Sequence, residues 1–302
     1  MVPRLVRGFL RSDGTPNFSN TVVSKPKELD YIIQRQVYST TARSPIMKGI
    51  HIMLTNSVRR IPITDSKNVL LGIVTATDAV DFLGGGDHYN IVKQKYGGRF
   101  FSALYEPLES IMSRSVICAD VNSRFSSVLE KMINDNVGAI PIIKKSGELA
   151  GIITEYDIVR YLSGRTMTEK VGDYMTPHPV ITSPEITIKS AARLMVSNGF
   201  RRIPVMKGNI VVGIVTTVDI IRYIGEGSAF RRILLDEMDQ VLSTPVSQIM
   251  RTGVILVKSD LQLGEVAPLI RTSGVGAVLV EDSGDIVGIL TERDILTALA
   301  IE

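Results

Sequence analysis

Tryptophan is absent from this chain of 302 residues, cysteine occurs once, and aromatic residues make up only 6%. The lone Cys118 excludes an internal disulfide, and no Cys/His cluster has metal-ligand spacing, so neither a metal centre nor a disulfide framework is expected. Such cysteine usage fits a reducing, cytoplasmic compartment. No apolar run approaches the roughly 20 residues of a membrane helix. The opening MVPRLVRGFLRSDG is broken by Arg, Gly and Asp and lacks the apolar centre of a secretory signal, so no membrane partner is expected. The formal net charge of +3 is small for this length, which argues against a surface that tracks nucleic-acid phosphates. With few aromatics, the cores must rest on Val, Ile, Leu and Met, and the length allows roughly two domains of about 150 residues.

Motifs for catalysis are also missing. No nucleophile stands beside a base, and no G-x-x-x-x-G-K-[ST] is present, so the chain reads as non-catalytic and without a catalytic cofactor. Gly84, Gly85 and Gly86 lack the Lys of a phosphate loop and read as a helix stop with a flexible exit. His51, His88 and His178 occupy unrelated places, His51 on a helix face and the other two in loops. KQKYGGRFF from Lys93 and FRRILLDEM from Phe230 read as amphipathic connectors, for packing or for a partner.

What is present is repetition. GIVTATD ends at Asp78, GIITEYD at Asp157, GIVTTVD at Asp219 and GILTERD at Asp294. Upstream, Val37, Val116, Val180 and Val254 each open a strand-like run, three of them shortly after an I-M or Y-M pair at Met112, Met175 and Met250. From these valines it is 24 or 25 residues to Pro62, Pro141, Pro204 and Leu279, and from there 15 or 16 to the Asp. Between Val and Pro the apolar positions take helical spacing, as with Val128, Leu129, Met132, Ile133 and Val137. Each copy therefore predicts a β-α-β-β-α unit, and the chain is an α/β repeat protein. One such unit cannot cover its own apolar sheet face and must pair.

The connectors predict which units pair. Asp78 to Val116 spans 38 residues and Asp219 to Val254 spans 35, whereas Asp157 to Val180 spans 23. NSVRRIP and NGFRRIP mark copies one and three; NVGAIP and SGVGAVL mark copies two and four. This pattern reads as a pair that was itself duplicated, with a boundary near residues 164–170. The expected organisation is an N-terminal extension (1–24), unit one (25–83), connector and unit two (84–163), unit three (164–224), and connector and unit four (225–302).

In T-x-x-D the Thr and Asp can form a capping box, which for a single copy would suffice as an explanation. Four copies point further. The start of a helix offers unpaired N–H groups and a positive dipole end that suit a phosphate, and Thr75, Thr154, Thr216 and Thr291 add a hydroxyl there. Asp78, Asp157, Asp219 and Asp294, one turn in, suit the neighbouring hydroxyls of a ribose. Gly72, Gly151, Gly213 and Gly288 permit something to approach the strand closely, either a ligand or a paired unit. Arg59 and Arg60, like Arg201 and Arg202, run into a strand and point to opposite sides, so at most one of each pair faces a given pocket. Gly138-Ala139 and Gly276-Ala277 replace these arginines in copies two and four and read as letting two halves pack closely. Arg160 and Arg222 read as i,i+3 partners of Asp157 and Asp219.

Four units ending in G-h-x-T-x-x-D resemble cystathionine beta-synthase (CBS) domains, and two such pairs resemble tandem Bateman modules. The RRIP motifs, the segment FLGGGDHYN and the two long connectors are similar to archaeal stand-alone four-CBS proteins related to the gamma subunit of AMP-activated protein kinase. The resemblance covers roughly residues 25–302. It implies two modules in a flat pseudo-twofold disc with up to four clefts, and ligands AMP, ADP or ATP. It implies Thr near phosphate, Asp on ribose, one or both arginines of Arg59-Arg60 and Arg201-Arg202 on phosphates, and Thr40 and Ser183 beside adenine. The output would pass to an effector protein, and a homo-oligomer is compatible with it. S-adenosylmethionine is an alternative ligand, although its sulfonium gives no use to clustered arginines. Nucleic acid is a further alternative, disfavoured because no stacking aromatics interleave with the arginines.

Overall fold

The computed structural model describes residues 28–162, 167–228 and 236–301. The 1–24 extension, most of FRRILLDEM and part of the 164–170 boundary lie outside the described residues. Each copy has the expected order. After a one- or two-residue first strand come a helix (Ile46–Thr55, Phe125–Asn134, Ile188–Asn198, Leu263–Thr272), an antiparallel hairpin, and a second helix beginning at Ala76, Glu155, Thr217 or Glu292. Among the described residues no helix is long and apolar enough to cross a membrane.

The hairpins share one register. Arg60 lies opposite Thr75, Ala139 opposite Thr154, Arg202 opposite Thr216 and Ala277 opposite Thr291. The first strands are shorter than the valines predict. Thr40 N–H donates to Pro62 O (3.2 Å) and Thr182 N–H to Pro204 O (2.9 Å), but proline has no N–H with which to carry the parallel ladder one step back. In copy four Leu279 replaces proline and its N–H donates to Ile255 O at 3.0 Å.

The described residues form two compact units, one within Tyr38–Val116 and Val180–Val254 and one of residues 28–37 with those described within Ile117–Pro179 and 255–301. Copies one and three thus share a core, as do copies two and four, so the copies that are most alike in sequence pack on each other. In the odd unit Ile46, Ile50 and Met53 of one first helix and Ile188, Ala192 and Met195 of the other are buried with Val80, Phe82, Ile220 and Ile224. Val128, Leu129, Met132, Val266 and Ile270 are buried with Ile158, Val159, Ile295 and Leu296 in the even unit.

The arm that leads into each copy lies within the unit of its chain neighbour. Gln34 bridges Ile152 of copy two, Ser113 bridges Ile73 of copy one, Thr176–Pro177 pair with Gly288–Ile289 of copy four, and Arg251 bridges Ile214 of copy three. Each copy therefore receives the arm of its chain neighbour, and the exchange is reciprocal between one and two and between three and four. The arms thus link one with two and three with four, the pairs that the connectors predict, whereas the shared cores join one with three and two with four. The exchange also identifies what approaches the motif glycine. A Cβ on Gly72 would stand 2.9 Å from Met112 Sδ, one on Gly288 2.3 Å from Met175 Sδ, one on Gly213 2.6 Å from Arg251 O, and one on Gly151 2.3 Å from Ile33 Cγ2. The methionines of the I-M and Y-M pairs thus pack against Gly72, Gly213 and Gly288, and Ile33 takes that place against Gly151.

The triple glycine departs from its reading as a flexible exit. Gly84 and Gly85 are buried, and a Cβ on Gly85 would lie 2.6 Å from Val196 Cγ2 and 3.0 Å from Ala192 O. These glycines let the end of the second helix of copy one press on the first helix of copy three. In KQKYGGRFF, Phe100 is fully buried while Phe101 is exposed, so this connector contributes to packing.

Candidate functional site

The T-x-x-D turn is built almost identically four times. Thr75 N–H and Oγ1 donate to Asp78 Oδ2 at 2.7 and 2.8 Å, and Asp78 N–H donates back to Thr75 Oγ1 at 3.2 Å. The same three bonds measure 2.9, 2.6 and 3.2 Å between Thr216 and Asp219, and 3.0, 2.6 and 3.3 Å between Thr154 and Asp157. Thr291 N–H and Oγ1 both reach Asp294 Oδ2 at 2.8 Å. The next amide is also taken, because Ala76, Glu155, Thr217 and Glu292 N–H donate to the carbonyls of Arg59, Gly138, Arg201 and Gly276 at 2.9–3.3 Å.

The amides expected to stand unpaired are therefore largely satisfied by the repeat itself. The threonine hydroxyl has one proton and gives it to the aspartate, so it can donate to an anion only by exchanging that bond. What distinguishes the copies is the second carboxylate oxygen. Asp157 Oδ1 accepts from Gln34 Nε2 at 2.9 Å, with Arg160 Nη2 at 3.8 Å as the expected i,i+3 neighbour. Asp219 Oδ1 accepts from Arg251 Nε at 2.8 Å. Arg222 instead pairs with Glu226 at 2.9 Å, so its expected i,i+3 bond to Asp219 is replaced by an i,i+4 bond. Asp157 and Asp219 are each only 4% exposed, so these partners offset the desolvation of a buried carboxylate.

The hydrogen bonds of Asp78 come from Thr75. Burial pushes its carboxyl above the usual carboxylate range, against the Thr75 bonds and the nearby His88, with the Asp81 charge adding to the rise. A raised folded pKa means that Asp78 favours the fold most below its unfolded pKa, and that this contribution is lost as pH rises through the folded value. Asp78→Asn, whose amide oxygen can still accept from Thr75, is therefore expected to gain stability relative to the parent between acidic and neutral pH. Urea midpoints at pH 4 and pH 7 check this, and an equal difference at both pH values would contradict it.

Thr75 and Arg60, directly opposite in the hairpin, share one sheet face, as do Thr216 and Arg202. The carbonyls of Arg59 and Arg201, one residue earlier, close the helix start. All four arginines are half-buried. In copies two and four a size exchange occupies this place. Where the strand begins Gly-Ala, the helix begins with a buried glutamate, Glu155 or Glu292, and a Cβ on Gly276 would stand 3.0 Å from Glu292 Cδ. Glu155 accepts from Arg293 Nε, and Arg293 Nη1 donates to Asn136 Oδ1 at 2.7 Å. Sequence reasoning missed Glu155, Glu292, Arg293, Gln34 and Arg251. The signal for the last two was the position just after Met250 and its counterpart Ile33.

Thr40 is buried and bonds Ser44 Oγ at 2.8 Å. Its match in copy three is Thr182 rather than Ser183, because Thr40 bridges Ile63 and Thr182 bridges Val205. Ser183 corresponds to Thr41 and is exposed. The lead from Val180 is one residue shorter than that from Val37, which shifts an alignment anchored on the valines. His51 lies on the first helix as expected, with Nε2 3.1 Å from Gly225 O, and His88 Nδ1 lies 3.0 Å from Asp81 Oδ2.

The CBS domain model matches residues 28–85, 108–164, 171–226 and 246–301. Protein MJ1225 of Methanocaldococcus jannaschii is 34% identical over 267 residues, 87% of this chain and 94% of that protein. Its crystal structure, described as that of a candidate archaeal homolog of g-AMPK, superposes with a TM-score of 0.85 at 32% identity over 90% of this chain and 99% of that one. A 33.4 kDa protein of Thermofilum pendens, named for its place in a ribosomal RNA operon, is 30% identical over 256 residues, 85% of each chain. A Pyrococcus horikoshii structure shares the fold at 18% identity and a TM-score of 0.56, over 90% of this chain and 99% of that one. Four family matches on four repeats with one hairpin register leave a single conclusion: the chain belongs to the CBS-domain family, with four CBS domains in tandem.

Proposed function

We propose that the chain is a non-catalytic regulatory protein that binds adenine nucleotides, AMP, ADP or ATP, at its T-x-x-D turns. The observation that carries this reading is the placement of Arg60 and Arg202 on the same sheet face as Thr75 and Thr216, each three residues before an aspartate. A ligand there would offer hydroxyls to the carboxylate and phosphate to the guanidinium, whose planar array of donors suits phosphate oxygens. A sulfonium ligand would use the carboxylate and leave the arginines idle, so the arginines favour a nucleotide over S-adenosylmethionine. The likeness to MJ1225 supports the same reading. Thr40 and Thr182, at equivalent bridges, take the place beside the base. AMP, ADP and ATP differ in phosphate charge, so differential binding would bias conformations that an effector protein could read.

Calorimetric titration of the full chain with AMP, ADP and ATP tests the reading directly. Binding is expected, and Asp78→Asn is expected to weaken its own site about tenfold through loss of a charge-assisted acceptor. A folded protein that gives no heat with any of the three nucleotides would refute it.

A further inference from the structure

We infer that one arm position, held by Gln34, Ser113, Thr176 and Arg251, sets how readily the aspartate beside it receives a ligand hydroxyl, with Arg251 acting as a latch on Asp219. This rests on the nucleotide reading above and concerns the regulation of the same sites. The four residues are equivalent by backbone pairing: their partners are Ile152, Ile73, Ile289 and Ile214. Each partner follows the motif glycine and stands two residues before the motif threonine. The arms thus enter with a common backbone register and differ in the side chain they deliver.

At copy three that side chain is a guanidinium. Asp219 Oδ2 accepts from Thr216 N–H and Oγ1, and Oδ1 accepts from Arg251 Nε at 2.8 Å. Both oxygens are engaged, so a ribose hydroxyl must compete with a charge-assisted bond. The Asp219 side chain is 3% exposed and that of Arg251 36%, so the guanidinium is the more solvent-accessible partner of the pair. At copy two the neutral Gln34 makes the equivalent contact to Asp157 at 2.9 Å, which is a weaker competitor. At copy one the arm carries Ser113, and the bonds to Asp78 come from Thr75. Access to the carboxylate therefore rises from Asp219 through Asp157 to Asp78.

Titration of the full-length protein with AMP, using the parent, Arg251→Ser, Arg251→Gln and Ser113→Arg, tests the latch. Arg251→Ser is expected to tighten one class of sites about tenfold and Arg251→Gln to tighten it less, while Ser113→Arg weakens a different class about tenfold, in line with the strength of a hydrogen bond to a charged group. If Arg251→Ser fails to fold, the Gln variant and Ser113→Arg still decide. Weaker binding by Arg251→Ser would assign the arginine to the ligand and overturn the latch. Changed melting temperatures with unchanged affinities would reduce it to a structural ion pair and overturn it too. A parent protein that binds none of AMP, ADP and ATP would overturn the nucleotide reading itself, whereas a binding parent with variants that all match it overturns the latch alone.

Discussion

Replacing Arg293 with Met is expected to destabilise the even unit by about 3 kcal/mol, the usual scale for removing one partner of a buried ion pair. Glu155 is 3% exposed and receives Arg293 Nε, while Nη1 of the same guanidinium reaches Asn136 Oδ1 at 2.7 Å and Met132 O at 3.4 Å. Methionine keeps much of the apolar stem and removes the charge and its donors. The carboxylate must then either stay ionised in a low-dielectric place or take up a proton. Adding Glu155→Gln should recover part of the loss, because a neutral amide costs less to bury. By contrast Arg222→Met breaks a pair with Glu226 whose side chains are 41% and 54% exposed, and should change stability by only about 0.5 kcal/mol. Urea denaturation of the three variants checks the ranking, and an Arg293 loss no larger than that of Arg222 would show that the buried pair contributes little.

Gly213→Ala should cost about 2 kcal/mol, the scale of overpacking a site that cannot relax. The added Cβ would meet Arg251 O at 2.6 Å and Met250 Sδ at 2.9 Å. The sulfur can move, but the carbonyl is fixed by its own bond. Ile214 N–H donates to Arg251 O and Arg251 N–H to Ile214 O, both at 2.9 Å, so relieving the clash stretches the pair that ties the arm to the hairpin. Faster hydrogen exchange at the Ile214 and Arg251 amides should accompany the loss of stability. Alanine at Gly208, where φ is 60° but nothing lies within 4 Å of the new Cβ, carries only the left-handed strain of about 1 kcal/mol. Equal exchange at the Ile214 amide in both variants would show that the arm does not depend on close approach at Gly213.

Much of the fold was legible because its causes are local. Apolar residues at helical spacing, turn residues between strands and a Thr three residues before an Asp act within one or two turns of chain, so the strand-helix-strand-strand-helix order follows from them. Local rules also supplied the capping bonds at Thr75 and Thr216, and the likeness of copies one and three. They failed where length and reach decide. The resemblance places Ser183 with Thr40, whereas the bridge equivalent to that of Thr40 is held by Thr182 with Val205. Glu155 looks like an ordinary residue of a first helical turn, and its burial arises from Gly138-Ala139 opposite and from Arg293, which lies 138 positions away.

The amino-acid sequence by itself determined that there are four like units, that each ends in the same capped turn, and that basic residues precede the second strand in two of them, because periodicity, capping and spacing are properties of neighbouring residues. Tertiary structure alone decided that like copies share a core, that methionine or isoleucine of a chain neighbour fills the space beside each motif glycine, and that Gln34 and Arg251 hold the second oxygens of Asp157 and Asp219. Those outcomes depend on shape and charge meeting across long stretches of chain. No local pattern records which distant side chain will arrive.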